Sequence, residues 1–173
     1  MKNLFIGNTT KLKLKNVIDI LESELSLKEK HRIKDSNTYV TLNASPFSHL
    51  ELSENPFKNL EYLNIISIDI EFVDENRIKD KELASIILHE IGHFLNKPNA
   101  KNQIELTLKG ISDPREQNEF CADDYCRLCG FGEYLLKNLT DSIISNPQKF
   151  DKEITKKRIN RIQNNKKIIN YLL

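Results

Sequence analysis

The feature that most constrains this chain is His89-Glu90-Ile91-Gly92-His93, a stretch of the form H-E-x-x-H. The pattern has a mechanical meaning only on an α-helix. Residues four apart differ there by about 40° of rotation, so both imidazoles lean over one face. Glu90 falls about 60° beyond His93 on the same side, beside a metal rather than on it. From that place its carboxylate can take a proton from a metal-activated water. The neighbouring sequence agrees: Leu83, Ile87, Leu88, Ile91, Phe94 and Leu95 fall on the opposite side. Lys79 to Leu95 is therefore read as a helix with an apolar back and a ligand face turned to a cleft, ended before Pro98. The plain alternative is two histidines on an ordinary helix. Three features weigh against it: the predicted helix itself, a preceding strand with one polar face, and a suitable third ligand downstream.

Two histidines need a third protein ligand if zinc is to keep one position open for water. The longer pattern H-E-x-x-H-x-x-G-x-x-H is excluded, because Asn96 and Asn99 stand where its glycine and third histidine belong. His31 and His49 lie upstream without supporting context. Glu119 is the better candidate. It sits on a helix that Asp113 caps and Pro114 opens, running to about Cys129 with Gly130 and Gly132 closing it. Asp123 lies one turn further on the same face, where it can accept a hydrogen bond from the free ring nitrogen of a ligating histidine. Ala122 is small and lets two helices approach closely. A solvated acidic face is the other reading of Glu119 and Asp123, and the upstream motif outweighs it.

The rest of the chain bounds the setting. Its 173 residues, 39% hydrophobic and 29% charged, suit a single domain over 1–173, with a catalytic core at about 62–130 and a helical part at 131–173. A net charge of +1 provides no broad attraction for nucleic acid or anionic lipid. The basic run Lys156, Lys157, Arg158, Arg161, Lys166 and Lys167 reads as the solvated face of a helix. Neither a leader-like apolar run nor a membrane-length stretch is visible, and three cysteines make no disulfide framework. A cytoplasmic location is expected. Cys121, Cys126 and Cys129 are read as buried thiols, with Cys126 close enough to Asp123 to consider as a redox or inhibitory ligand.

Leu12 to Lys30 has the spacing of one amphipathic helix, Thr38 to Leu42 that of a short strand, and Asn43 to Phe57 the composition of a loop. Tyr62 to Val73 is read as the clearest strand. Ile66, Ile68, Ile70 and Phe72 alternate there with mostly polar residues, which places it at or near a sheet edge. Alternation in Gln103 to Leu108 permits a short strand or hairpin arm. A short helix over 133–138 and a long polar one over 150–172 follow; its last residues could fold back over the cleft. The fold class expected is α+β, a small mixed sheet with an active-site helix and a mostly helical C-terminal half.

His89-Glu90-Ile91-Gly92-His93 followed by Glu119-Phe120-Cys121-Ala122-Asp123 resembles the gluzincin metallopeptidases. With Asp124, Tyr125 and Gly130 added, it is most similar to the heat-shock and CAAX-prenyl membrane peptidases and to the soluble minigluzincins that share their core. The resemblance covers about Tyr62 to Gly130. It implies a zincin-like fold, zinc held by His89, His93 and Glu119, and Glu90 as general base and acid. It also implies an edge strand that aligns an extended peptide, assigned to Ile65 to Val73 with Ile66, Ile68 and Ile70. The membrane relatives carry transmembrane helices, which this sequence does not show. They often carry a His-Pro pair and a downstream Arg; here Asn146-Pro147 and Arg158-Ile159 stand in loosely comparable places. Arg158 and Tyr125 stay open as candidates for stabilising an oxyanion. A weaker resemblance joins the chain to ImmA/IrrE-type peptidases, which cleave regulatory proteins. The expected function is a zinc endopeptidase acting on cytosolic proteins or peptides, in an oligomeric state the sequence leaves open. The alternatives are a catalytically idle metal-binding module that engages a partner, and a hydrolase of non-peptide amides.

Overall fold

The structure is a computed structural model that describes residues 12–43, 48–52, 63–69, 78–145 and 151–172. In chain order these form α1 (Leu12–Glu24), α2 (Leu27–Asp35), β1 (Thr38–Asn43), β2 (Ser48–Leu52), β3 (Leu63–Asp69), α3 (Asp80–Leu95), α4 (Ala100–Leu108), α5 (Pro114–Leu128), α6 (Gly132–Ser145) and α7 (Lys152–Leu172). The class is α+β, as expected. Among the described residues no helix is long and apolar enough to cross a membrane.

The single helix expected over 12–30 is two. Ser26 breaks it: its hydroxyl accepts from the Glu29 backbone N–H and starts α2 as an N-cap, the first half of a Ser-x-x-Glu box. β1 falls where the β-rich run predicts. β2 lies inside the stretch expected to be loop. The three strands form one mixed sheet in the order β1-β3-β2, with β1 parallel and β2 antiparallel to β3. β3 is therefore the central strand, not an edge. Of the polar residues that argue for an edge, Ser67 is buried and Glu71 lies outside the described residues; on the other face buried Asn64 donates from Nδ2 to the Ser36 carbonyl at 2.7 Å. Ile66 and Ile68 are wholly buried in the core, so neither is open to an extended peptide. Ile70 lies outside the described residues, as does the rest of the expected strand.

Most of α3 is buried, from Glu82 to Gly92. Leu83, Ala84, Ile87, Leu88 and Ile91 meet α1 through Leu14, Val17 and Leu21, and the sheet through Val40, Ile66 and Ile68, in one apolar core. Both ends of the helix are tied down. The Lys79 backbone N–H donates to Glu82 Oε2 at 3.2 Å, and Arg32 donates to the Leu95 carbonyl at 2.7 Å. From α6, Asn138 donates to the Glu82 carbonyl and to Ser85 Oγ.

Residues 100–108 are helical, not a strand. Asn99 caps α4 by accepting from the Asn102 N–H, and Gly110, at φ +81°, ends it. The period-two alternation there carried no burial signal: Leu106 is buried, whereas Ile104 and Leu108 are 62% and 82% exposed. α5 begins on the expected Asp113 cap and Pro114. It closes with the Phe131 N–H bonded to the Cys126 carbonyl and Gly130, at φ +88°, bonded to the Arg127 carbonyl. That is the Schellman pattern. Gly132 instead opens α6, which is longer than the short helix expected there.

α3 and α5 pack at a backbone-close crossing. A Cβ added at Gly92 would stand 2.7 Å from Ala122 Cα and 2.8 Å from its carbonyl oxygen. Neither obstacle can rotate away. Gly92→Ala is expected to lower stability by about 1–3 kcal/mol through overpacking, read from the urea midpoint, and to weaken any ligand bound between the two helices.

Candidate metal centre

Two residues of α3 and two of α5 face one another around that crossing. His89 and His93 lie on either side of Gly92, and Glu119 and Asp123 on either side of Ala122, each pair at i−3 and i+1. The donor atoms of His89, His93 and Glu119 all lie within 4.8 Å of one another. His89 Nε2 is 3.3 Å from Glu119 Oε2, and His93 Nε2 is 3.7 Å from Glu119 Oε1. The two rings meet edge to face, with centroids 4.7 Å apart. Among the described residues this is the one His/Cys/Asp/Glu group close enough to hold a metal ion, and no cysteine belongs to it.

Asp123 is almost fully buried, and its Oδ1 lies 3.0 Å from His89 Nδ1. Nδ1–H donating to this carboxylate leaves Nε2, on the side of Glu119, as the nitrogen that would take a metal once its own proton is displaced. Glu90 is buried, next to the charges of His89, Glu119 and Arg158.

Arg158 of α7 completes the cluster. Its Nε donates to Asp123 Oδ2 at 2.9 Å and its Nη2 to Oδ1 at 2.7 Å, a two-pronged grip. Nη1 reaches Glu119 Oε2 at 2.8 Å. The basic run of α7 is therefore not simply a solvated face. Lys157 pairs with buried Glu116 at 3.1 Å, and Arg161 pairs with Asp124 while lying over the Phe120 ring. Cations on α7 thus match Glu116, Glu119, Asp123 and Asp124 on α5. Tyr125 points away from the cluster. It is a core residue, packed against Gly92 and beneath the Arg32 guanidinium, which excludes it as an oxyanion donor.

The electrostatics follow from burial and these contacts. Burial and the Arg158 charge pull the His89 pKa down, but hydrogen bonds with Asp123 and Glu119 outweigh them and raise it to about 9. Burial and the neighbouring His89 charge lower His93 to about 4. Glu119 is held at about 2: burial opposes this, and His89 and Arg158 overcome it. Asp123 is likewise held at about 2 against burial, chiefly by Arg158 and His89. Burial raises Glu90.

The structure thus brings together the sequence-expected His89, Glu90, His93, Glu119 and Asp123. It adds Gly92 as the spacer of the crossing, and Asn96, whose Nδ2 donates to the Cys121 carbonyl at 2.6 Å and ties the end of α3 to α5. The complementary charge rows on α5 and α7 were the available sequence signal for Arg158 as a carboxylate partner. Against known proteins, the chain matches no family model, no curated protein and no solved structure.

Asp123→Asn leaves the buried Arg158 charge with half its counter-charge. It is expected to cost about 3–5 kcal/mol of stability, the usual loss on breaking a buried pair. The pH dependence checks the assignment. Asp123 titrates at about 2 in the folded chain against an ordinary 3.8, so its contribution is complete above about pH 4 and lost as pH falls toward 2. Urea unfolding of the metal-free protein across that window should show a shallower acid loss in the variant.

Proposed function

We propose that the chain is a zinc-dependent peptidase of the gluzincin kind on a zincin-like fold, with His89, His93 and Glu119 as ligands and Glu90 as general base. The observation that carries this reading is the convergence of those three donors within 4.8 Å from two helices whose crossing is fixed by backbone contact. Two imidazoles and one carboxylate are the donor set of catalytic zinc sites that retain an open position. The charge count supports a divalent ion. Three buried or half-buried carboxylates, Glu90, Glu119 and Asp123, face Arg158 and, in the metal-free chain, a protonated His89; an ion that displaces the His89 proton would have two negative charges to balance.

A bound zinc ion would polarise the scissile carbonyl and acidify a water beside it. Glu90 then takes the proton of the attacking water and hands it to the leaving amine; a carboxyl whose pKa burial has raised is suited to both halves of that transfer. Asp123 keeps His89 in one tautomer and orientation through the cycle. With β3 central, the strand available to align an extended peptide is β2, an outer strand of the described sheet that packs on α3. Three free cysteines, two of them buried, suit a reducing compartment, and cytosolic proteins or peptides are the proposed substrates.

Metal analysis of purified wild type should find near-stoichiometric zinc, largely lost in Glu119→Ala and weakened about 10–100-fold in Asp123→Asn. Glu90→Gln should keep the zinc and lose hydrolysis of a peptide library by a factor of about 10² or more. Zinc with no peptidase activity in the wild type would leave an idle metal-binding module; absent zinc that cannot be restored would end the metal reading.

A further inference from the structure

We infer that Arg158 and a divalent metal compete for Glu119, so that docking of α7 and loading of the site oppose each other. This rests on the metal reading above and concerns how that site is regulated. Nη1 of Arg158 lies 2.8 Å from Glu119 Oε2, the same oxygen that stands 3.3 Å from His89 Nε2. Nη2 lies 3.4 Å from both ring nitrogens of His89, over the face of the ring. The guanidinium is thus seated on one of the atoms a metal would use, Glu119 Oε2, and beside a second ligand. An arginine cannot step aside by losing its proton, since it stays charged at any working pH. Loading through Oε2 therefore requires Nη1 to share or release that oxygen or Glu119 to rotate, and the two cations repel each other at short range in a water-poor site.

The other contacts of Arg158 explain why it need not leave altogether. Its grip on Asp123 uses Nε and Nη2 and is independent of Glu119. Lys157 on Glu116, Arg161 on Asp124 and Ile162 in the core also hold α7. Loading removes one tie of several, so α7 loosens rather than detaches. Coupling between two sites is reciprocal: whatever factor α7 docking takes from metal affinity, the metal takes from α7 docking.

Zinc affinity can be measured by competition with a chromophoric chelator for wild type, Arg158→Gln and Arg158→Lys. Competition predicts that Arg158→Gln binds zinc more tightly, on the order of tenfold, while Arg158→Lys, which keeps the charge, stays near wild type. Equal or weaker zinc binding by Arg158→Gln, with wild type binding zinc, would overturn the competition and leave the metal site standing. Absence of zinc binding in every protein would overturn both. Wild type alone provides a second measurement should the variants fail to fold. Hydrogen exchange of the α7 amides from Thr155 to Ile162 should become faster on adding zinc; unchanged or slower exchange contradicts the inference.

Discussion

The crossing of α3 over α5 sets the geometry on which the rest depends. Gly92 has no Cβ because the Ala122 backbone occupies the place one would take. The residues three before and one after each of these positions are His89 and His93 on one helix, Glu119 and Asp123 on the other. Closest approach and donor cluster are therefore one geometric fact seen at two radii. Any change in helix separation moves all four side chains together. The ties at the ends of the crossing, from Asn96 to the Cys121 carbonyl and from the Cys126 thiol to the Ser85 carbonyl, resist that change.

Around this contact the protein gathers more negative charge than a buried region ordinarily tolerates. It does so by importing a cation from a distant part of the chain. Arg158 neutralises Asp123 through two parallel hydrogen bonds and reaches Glu119 with its remaining arm. Among the described side chains of α7, Ile162 and the buried Thr155 enter the core, and its ion pairs fix its position on α5. The side of the cluster formed by α7 is thus held electrostatically, and the side formed by α3 and the sheet by packing.

The parts of this arrangement that could be read from sequence are those whose cause is local. α5 is legible almost to the residue, because its caps and stops, Asp113, Pro114 and Gly130, act within one turn, and α3 is legible from its apolar spacing and its stop before Pro98. His89, Glu90 and His93 follow from the H-E-x-x-H spacing, and Glu119 and Asp123 from the need for a third ligand and from the resemblance that the two motifs carry together. What escaped depends on distant partners or on competing local signals. Ser26 starts a second helix with a capping glutamate three residues on, a signal that the continuous apolar spacing of 12–30 masks. The alternation at 103–108 imitated a strand while most of its apolar residues face outward. Polar residues on β3 suggest an edge, but alternation reports which face is buried, not how many neighbours a strand has. The basic residues of α7 looked solvated because their carboxylate partners sit about 35 to 41 residues away.

The three cysteines carry a consequence for which ion the centre would accept. Burial pushes the Cys126 thiol far above its ordinary range, pushes Cys129 up to about 12, and raises Cys121 as well. Cys126 donates its S–H to a carbonyl of α3 and has no lone role in the donor cluster. Soft thiolate coordination is thereby withheld from a site that lies one helical turn away. Imidazole and carboxylate alone distinguish poorly among first-row divalent ions, which they rank by the general order of complex stability rather than by fit. The ion found in such a centre would record the metal supply of the place where the chain folded.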